Sequence, residues 1–213
     1  RAVSEKEKAQ ANIAHAIDTF GAAFLRSTQA AKASKPERQK PQIQNYMFYA
    51  DPKFRDPKNF YPEPIAPADI KQELYQDKKD YQIFLLTWKS QYEPVNPEFK
   101  KMYESYPEDW TVYALYFKHR KSSHAGIVMT HGWTGGKLTD QLTLSTIGAQ
   151  RLVSKGFDLL YVQQPYHGFR MPKDSYFSGE LFISGEVSRL NEAMCQAVTD
   201  MRSAIRWLKQ DHS

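Results

Sequence analysis

HAGIVMTHGWTGG, residues His124 to Gly136, is the stretch on which the reading of this chain turns. It opens with a short apolar run, Gly126-Ile127-Val128-Met129, of the kind that makes a buried parallel strand. It breaks at His131-Gly132-Trp133-Thr134-Gly135-Gly136. Three glycines in five residues can take backbone angles barred to other residues and can let backbone N–H groups face a ligand. A helical pattern starts straight after, near Thr139. Strand, glycine turn and helix N-terminus in that order make a pocket suited to developing negative charge.

Two nucleotide-binding motifs fail here. A Walker loop needs G-x-x-x-x-G-K-[ST]. Gly136-Lys137 fits its end, but His131 stands where the first glycine belongs and Leu138 where the magnesium-binding hydroxyl belongs. A dinucleotide fingerprint needs G-x-G-x-x-G, which residues 132–136 do not supply. No cofactor is therefore expected.

Downstream of the turn, residues 139–155 carry Leu142, Leu144, Ile147, Leu152 and Val153 at helical spacing, and Gly156 stops the helix in the C′ position. Phe157 to Val162, FDLLYV, reads as the next buried strand, which completes a right-handed βαβ unit. The polar loop Gln163 to Pro172 follows at that strand's C-terminal end, the edge where open α/β sheets gather ligands. Ser188 to Lys209 keeps one apolar face for six turns, through Leu190, Met194, Ala197, Met201, Ile205 and Leu208.

Upstream, Tyr81–Tyr92 and Trp110–Phe117 read as strands, the second alternating and rich in β formers. His119 to Ser123 is a turn. Residues 34–107 hold ten of the twelve prolines, too many for a long helix or a central strand. Tyr46, Phe48, Tyr49, Phe54, Phe60 and Tyr61 are interleaved with them and need burial, so the segment is expected to wrap the body as an arm. Residues 4–33 read as a helix, with Ser4 and Glu7 as a capping box and Ile13, Ile17, Phe20 and Phe24 as a narrow apolar stripe. That stripe packs on the same chain or serves a homo-oligomer contact.

The 213 residues, 41% hydrophobic and 25% charged, describe a globular chain able to bury a core. The net charge of +5 is spread among acids without a basic tract and interleaved aromatics, so no nucleic-acid partner is expected. No apolar run approaches the roughly 20 residues of a membrane span. Cys195 is the single cysteine; it excludes an internal disulfide and points to a reducing, cytoplasmic compartment. Mid-helix and without a nearby histidine, it reads as an inert thiol. His15, His119, His124 and His212 form no metal-ligand spacing, so no metal is expected.

VMTHGWTGG, then FDLLYVQQPYHGFRMP, then NEAMCQAVTDMRSAIRWLKQ, in this order and spacing, resemble the first half of an α/β-hydrolase, over about residues 81–210. The likeness is to esterase-like and acyl-peptidase-like members, in which a PYHG-x-R loop follows the fourth strand. It implies an α/β fold with a mostly parallel, three-layer α/β/α sheet over residues 81–213, preceded by the helix and arm of residues 1–80. It implies an ester, thioester or peptide-like acyl substrate. The backbone N–H of Trp133 would be one oxyanion donor, with His131 and Gly132 shaping the loop, and Gly135, Tyr166, His167 and Arg170 would line the substrate; for His167 and Arg170 a plain turn and a surface or buried ion pair are equally open readings. The chain departs from the pattern in one respect: G-x-S-x-G occurs nowhere in it. Ser178 and Ser184 precede glycines but lack the first glycine and the strand-turn-helix setting. The expectation is an N-terminal portion of a serine hydrolase, inactive alone; the alternative is a non-catalytic binding or scaffolding protein on the same fold.

Overall fold

The computed structural model describes residues 47–121, 125–136 and 148–211, with isolated positions between 4 and 27. The chain divides into two compact units, residues 1–40 and 41–213. In the first, described positions such as Glu5, Lys8, His15, Thr19 and Arg26 are helical and exposed. The stripe of Ile13, Ile17, Phe20 and Phe24 lies outside the described residues, as does most of the helix expected over 139–155.

The second unit is built on a five-stranded sheet in the order β1-β2-β3-β5-β4: β1 Lys71–Asp77, β2 Tyr81–Lys89, β3 Thr111–His119, β4 Gly126–Thr130 and β5 Asp158–Val162. Four helices accompany it among the described residues: α1 Pro57–Phe60, α2 Pro97–Glu104, α3 Ala149–Ser154 and α4 Val187–Asp211. The expectation of a mostly parallel sheet is corrected. β1–β2, β2–β3 and β3–β5 are antiparallel, and only β4 runs parallel to β5. Connection length explains part of this. Three residues join β1 to β2, enough for a hairpin and far too few for a parallel crossover. The β4–β5 connection has room for a helix, and α3 occupies its end.

Alternation along the central strands produces two cores. Leu86, Trp88, Val112, Ala114, Tyr116, Leu160 and Val162 pack with Ala204 and Leu208 of α4. Ile83, Leu115, Phe117, Leu159 and Tyr161 point the other way and pack with Ala149 and Val153 of α3. β5 is buried at every residue because it has helices over both faces. Gly156, just beyond α3, has φ 88°, the left-handed value that ends a helix and favours glycine.

The prolines of the arm begin helices. Asp51, Asp56 and Asn96 each accept a hydrogen bond from the backbone N–H two residues on, at 2.9, 3.0 and 3.0 Å. Pro52, Pro57 and Pro97 follow at the first helical position, where a missing N–H costs nothing. The rings of Phe48, Tyr49, Phe54, Phe60 and Tyr61 then meet at centroid distances of 4.9–6.1 Å.

One buried carboxylate ties this segment to the body. Glu192 of α4 is 1% exposed. Its Oε1 accepts from the Tyr49 hydroxyl at 2.5 Å and the Asn96 N–H at 2.9 Å. Its Oε2 accepts from the Val95 N–H at 2.8 Å and from the Tyr92 hydroxyl. Burial and the neighbouring carboxylate push both phenols well above their ordinary pKa, so they stay donors. Nearby, the Cys195 thiol donates to the Phe60 carbonyl at 3.4 Å, and burial raises its pKa, which keeps it a thiol.

Glu192→Ala removes the acceptor of two N–H groups and the Tyr92 hydroxyl and leaves the Tyr49 hydroxyl only the distant Ser188 carbonyl, so it should cost about 3 kcal/mol or more. Tyr49→Phe removes one bond to a charged group and should cost about 1.5 kcal/mol. Urea unfolding midpoints of the two variants check the order and the size.

Candidate functional site

The parallel pair β4/β5 sets the site. Both strands end at the same edge of the sheet, and each delivers a loop there: residues 131–136 after β4 and 163–170 after β5. Residues 176–182 form a strap that bonds to both.

The glycine turn is closed by a hydrogen bond from the Gly135 N–H to the Gly132 carbonyl at 3.1 Å. Its third residue, Thr134, has φ 67°. A type II turn requires a positive φ there and normally takes glycine. A β-branched residue at that angle is strained by roughly 1–3 kcal/mol, a cost met only where the surroundings over-determine the conformation. The supports are on view. His131 lies beneath the turn, with Nδ1 2.8 Å from the Gly132 carbonyl oxygen. Its Nε2 accepts the Gln164 N–H at 3.1 Å. That bond fixes the tautomer: Nε2 is bare, so Nδ1 carries the proton and donates. Burial lowers the His131 pKa, which keeps this neutral form. A Cβ on Gly135 would overlap the His131 ring, so only glycine fits above it.

Trp133 is held by its indole, which donates to the Gly179 carbonyl at 2.9 Å and meets Phe177 edge-on at 6.1 Å. Ser178 joins the two loops: its hydroxyl donates to the Gly135 carbonyl and accepts from the Gly168 N–H at 3.0 Å. Gln163 does the same from β5, donating to the Gly136 carbonyl at 3.2 Å and accepting from the Phe169 N–H at 2.9 Å. Gln164 Nε2 donates to Thr130 Oγ1 at 2.6 Å, which in turn donates to the Val162 carbonyl at 2.9 Å.

Tyr166, His167 and Arg170 were expected to line the substrate, with a plain turn and an ion pair equally open for His167 and Arg170. They are 1%, 1% and 0% exposed, and each serves the interior. Tyr166 has φ 60°, a second non-glycine residue in the left-handed region, and its N–H donates to Asp109 Oδ1 at 2.8 Å. His167 donates from Nδ1 to the Pro165 carbonyl at 2.7 Å, and its ring lies 4.6 Å from that of His131. Its bare Nε2 is buried without a partner and is directed at Gly179. Burial, then the neighbouring His131, push its pKa down to about 3. Arg170 donates from Nε to Asp109 Oδ1 at 3.0 Å and from Nη1 to Asp200 Oδ2 at 2.9 Å. It also donates to the carbonyls of Gln163 at 3.1 Å and Asp109 at 2.7 Å. Asp109, Asp200, Gln163 and Ser178, the partners that hold this edge together, carry no motif. Asp109 and Asp200 lie 61 and 30 positions from Arg170, beyond the reach of any local pattern.

No family model matches the sequence, and no curated protein matches it. Among solved structures, the chain is similar to a PEG-bound cold-adapted esterase from an Arctic intertidal metagenomic library. The identity is 14% and the TM-score 0.42, over 67% of this chain and 49% of that one. The chain thus spans about half the length of that esterase.

Clefts of about 360 and 410 Å³ lie at the same sheet edge, displaced toward β2 and β3. Trp110 and Lys89 line both. Neither is lined by a residue of the glycine turn, so the site assigned to chemistry and these openings are separate. Among the described residues, no group of three or more His, Cys, Asp or Glu could hold a metal. Nor is any helix there long and apolar enough to cross a membrane.

The packing of Gly135 on His131 is open to test. Gly135→Ala should cost about 2 kcal/mol, as an overpacked site does. In a His131→Ala background the same change should cost much less, giving a coupling of about 1 kcal/mol or more in a double-mutant cycle. Additive costs would mean that the ring is not what excludes the methyl group.

Proposed function

We propose that this chain supplies the oxyanion-binding part of an acyl-hydrolase site and acts with a nucleophile that its 213 residues do not contain. The observation that carries the reading is the strained turn at Thr134, φ 67°, fixed at the C-terminal end of a parallel strand by His131, Ser178 and Gln163. Backbone dipoles held rigid before the reaction stabilise a developing oxyanion without reorganising. The donor is the backbone N–H of Trp133, on the turn's second residue. His131 is neutral and committed at both ring nitrogens, so it shapes the loop and moves no proton. The substrate is a carboxylic ester, thioester or peptide-like acyl compound. The serine, its base and its acid belong to the remainder of a longer protein.

A second reading is favoured by one observation. Tyr166, His167 and Arg170 are all buried. A protein that kept this framework only to present a binding or scaffolding surface would look the same.

The 213-residue chain should show no p-nitrophenyl acetate hydrolysis that a fluorophosphonate blocks. A longer gene product containing it should be labelled by the fluorophosphonate at a serine outside these residues. Within that product, Trp133→Pro deletes the donor and should lower kcat by about 10²–10³. Trp133→Phe keeps the N–H and should retain far more activity. Labelling absent from the longer product supports the scaffolding reading, and equal activity of the two folded variants refutes the donor assignment.

A further inference from the structure

Asp109 and Asp200 share a single guanidinium in a site closed to water. Both carboxylates and Arg170 are at most 2% exposed. With both acids ionised the cluster carries one uncompensated negative charge, which a dry interior penalises heavily. The two acids are not equally provided for. Asp200 accepts from the Ser90 hydroxyl at 2.6 Å on one oxygen and from Arg170 on the other. Asp109 loads two donors, the Tyr166 N–H and Arg170 Nε, onto Oδ1, and its Oδ2 is buried without a partner. That naked oxygen is where an extra proton belongs.

We propose that Asp109 holds a proton on Oδ2 in the folded protein, and that this proton sets the position of the glycine turn through two chains of hydrogen bonds. The inference goes beyond the hydrolase reading and does not require it. One chain runs from Asp109 Oδ1 to the Tyr166 N–H, from the Tyr166 carbonyl to the Gly179 N–H at 2.9 Å, and from the Gly179 carbonyl to the Trp133 indole. The other runs from Asp109 through Arg170 to the Gln163 carbonyl, and from the Gln163 side chain to the Gly136 carbonyl. The two chains meet the turn at its two ends. Asp109 is therefore a positioning residue.

Of the charged or titratable neighbours, Arg170 opposes a held proton and the others do not. Burial is the largest influence; with Asp200 adding to it and Arg170 and the Tyr166 N–H opposing, Asp109 is raised to about 7. Tyr103 and Tyr166, on α2 and the β5 loop, are pushed further from ionising, and Asp109 itself contributes to both shifts. Behind Arg170 stand His131 and His167, both held neutral, so neither adds positive charge. Arg189 and Tyr106 bear on Tyr166, one step away. The sign follows from linkage. The raised Asp109 contributes stability that is complete below its unfolded value, near 3.8, and is lost as pH rises through about 7. The depressed His167 does the opposite, contributing stability above about 6.5 that is lost as pH falls toward 3. The two offset each other across mildly acid pH, so removal of one uncovers the other.

The test is a pH titration of the full chain with ¹³C-labelled aspartate and ¹⁵N-labelled tryptophan, followed by NMR. One aspartate carboxyl should titrate well above the ordinary ~4 of exposed aspartate. The Trp133 indole signal should move with the same midpoint. Both effects should vanish in Asp109→Asn, whose unfolding free energy should now rise with pH between about 4 and 6.5. If that variant does not fold, residue-specific assignment of the wild-type signal through its own backbone resonances decides: a high-titrating carboxyl that maps to Asp109 supports the proposal, and one that maps to Asp200 overturns it. Wild-type carboxyls that all titrate below about 5, or a Trp133 indole that ignores the titration, overturn it equally.

Discussion

The contact between Arg170 and its two aspartates is the constraint on which the functional edge depends. Burying a guanidinium with two aspartate side chains costs several kcal/mol for each group that stays ionised, and mutual attraction repays that only when the remaining donors and acceptors are satisfied. Here they nearly are. Arg170 reaches two aspartate side chains and two carbonyls, and those partners come from three places in the chain: Asp109, by side chain and carbonyl, after α2; Asp200 on α4; and Gln163 just after β5. A hydrophobic residue of similar size would fill the space more cheaply, but it could not fix these segments in one register.

From that anchor the strain at the edge becomes intelligible. Thr134 and Tyr166 both hold positive φ, at 67° and 60°, and they sit in the two loops that leave the parallel pair. Each costs roughly 1–3 kcal/mol in isolation. Tyr166 is held there by the Asp109 carboxylate on one side and the Gly179 N–H on the other. Thr134 is held by a turn whose flanks are tied to His131, Ser178 and Gln163. Gly179 has φ 82° and its Cα faces the His167 ring, so the strap comes as close as backbone can. The result is a rigid surface of backbone dipoles made from residues that are individually ill suited to their angles.

Elements that bury a whole face were legible in the sequence. FDLLYV and the run before His131 announce themselves by their apolar runs, and α4 by its length and helical spacing, although α4 buries Glu192, Gln196, Asp200 and Ser203 and leaves Met194 and Ile205 of the expected apolar stripe exposed. β1, KQELYQD, was hidden in the arm because nearly all of it is exposed, so no alternation marks it. α2 was hidden among prolines, since Asn96-Pro97 reads as a break until its cap is seen to start a helix. The sheet's direction was misjudged for a different reason: strand patterns say which face is buried and nothing about whether a neighbour runs parallel. The glycine turn was found from its spacing. Its supports were not, because Asp109, Gln163, Ser178 and Asp200 are ordinary polar residues until folding brings them to Arg170 and the loops. Arg170 was singled out by its place in the PYHG-x-R loop, and of the readings open to it the structure shows the buried ion pair.

Amide hydrogen exchange, compared between the wild-type chain and Arg170→Met, measures the central dependence most directly. Methionine keeps the bulk of the stem and removes the donors. The account predicts that protection falls sharply at Tyr166, Gln164 and Gly135 while the β2–β3 amides keep theirs. Unchanged protection at those three amides in a folded variant would contradict it, and would mean that the loops hold the glycine turn without the buried guanidinium.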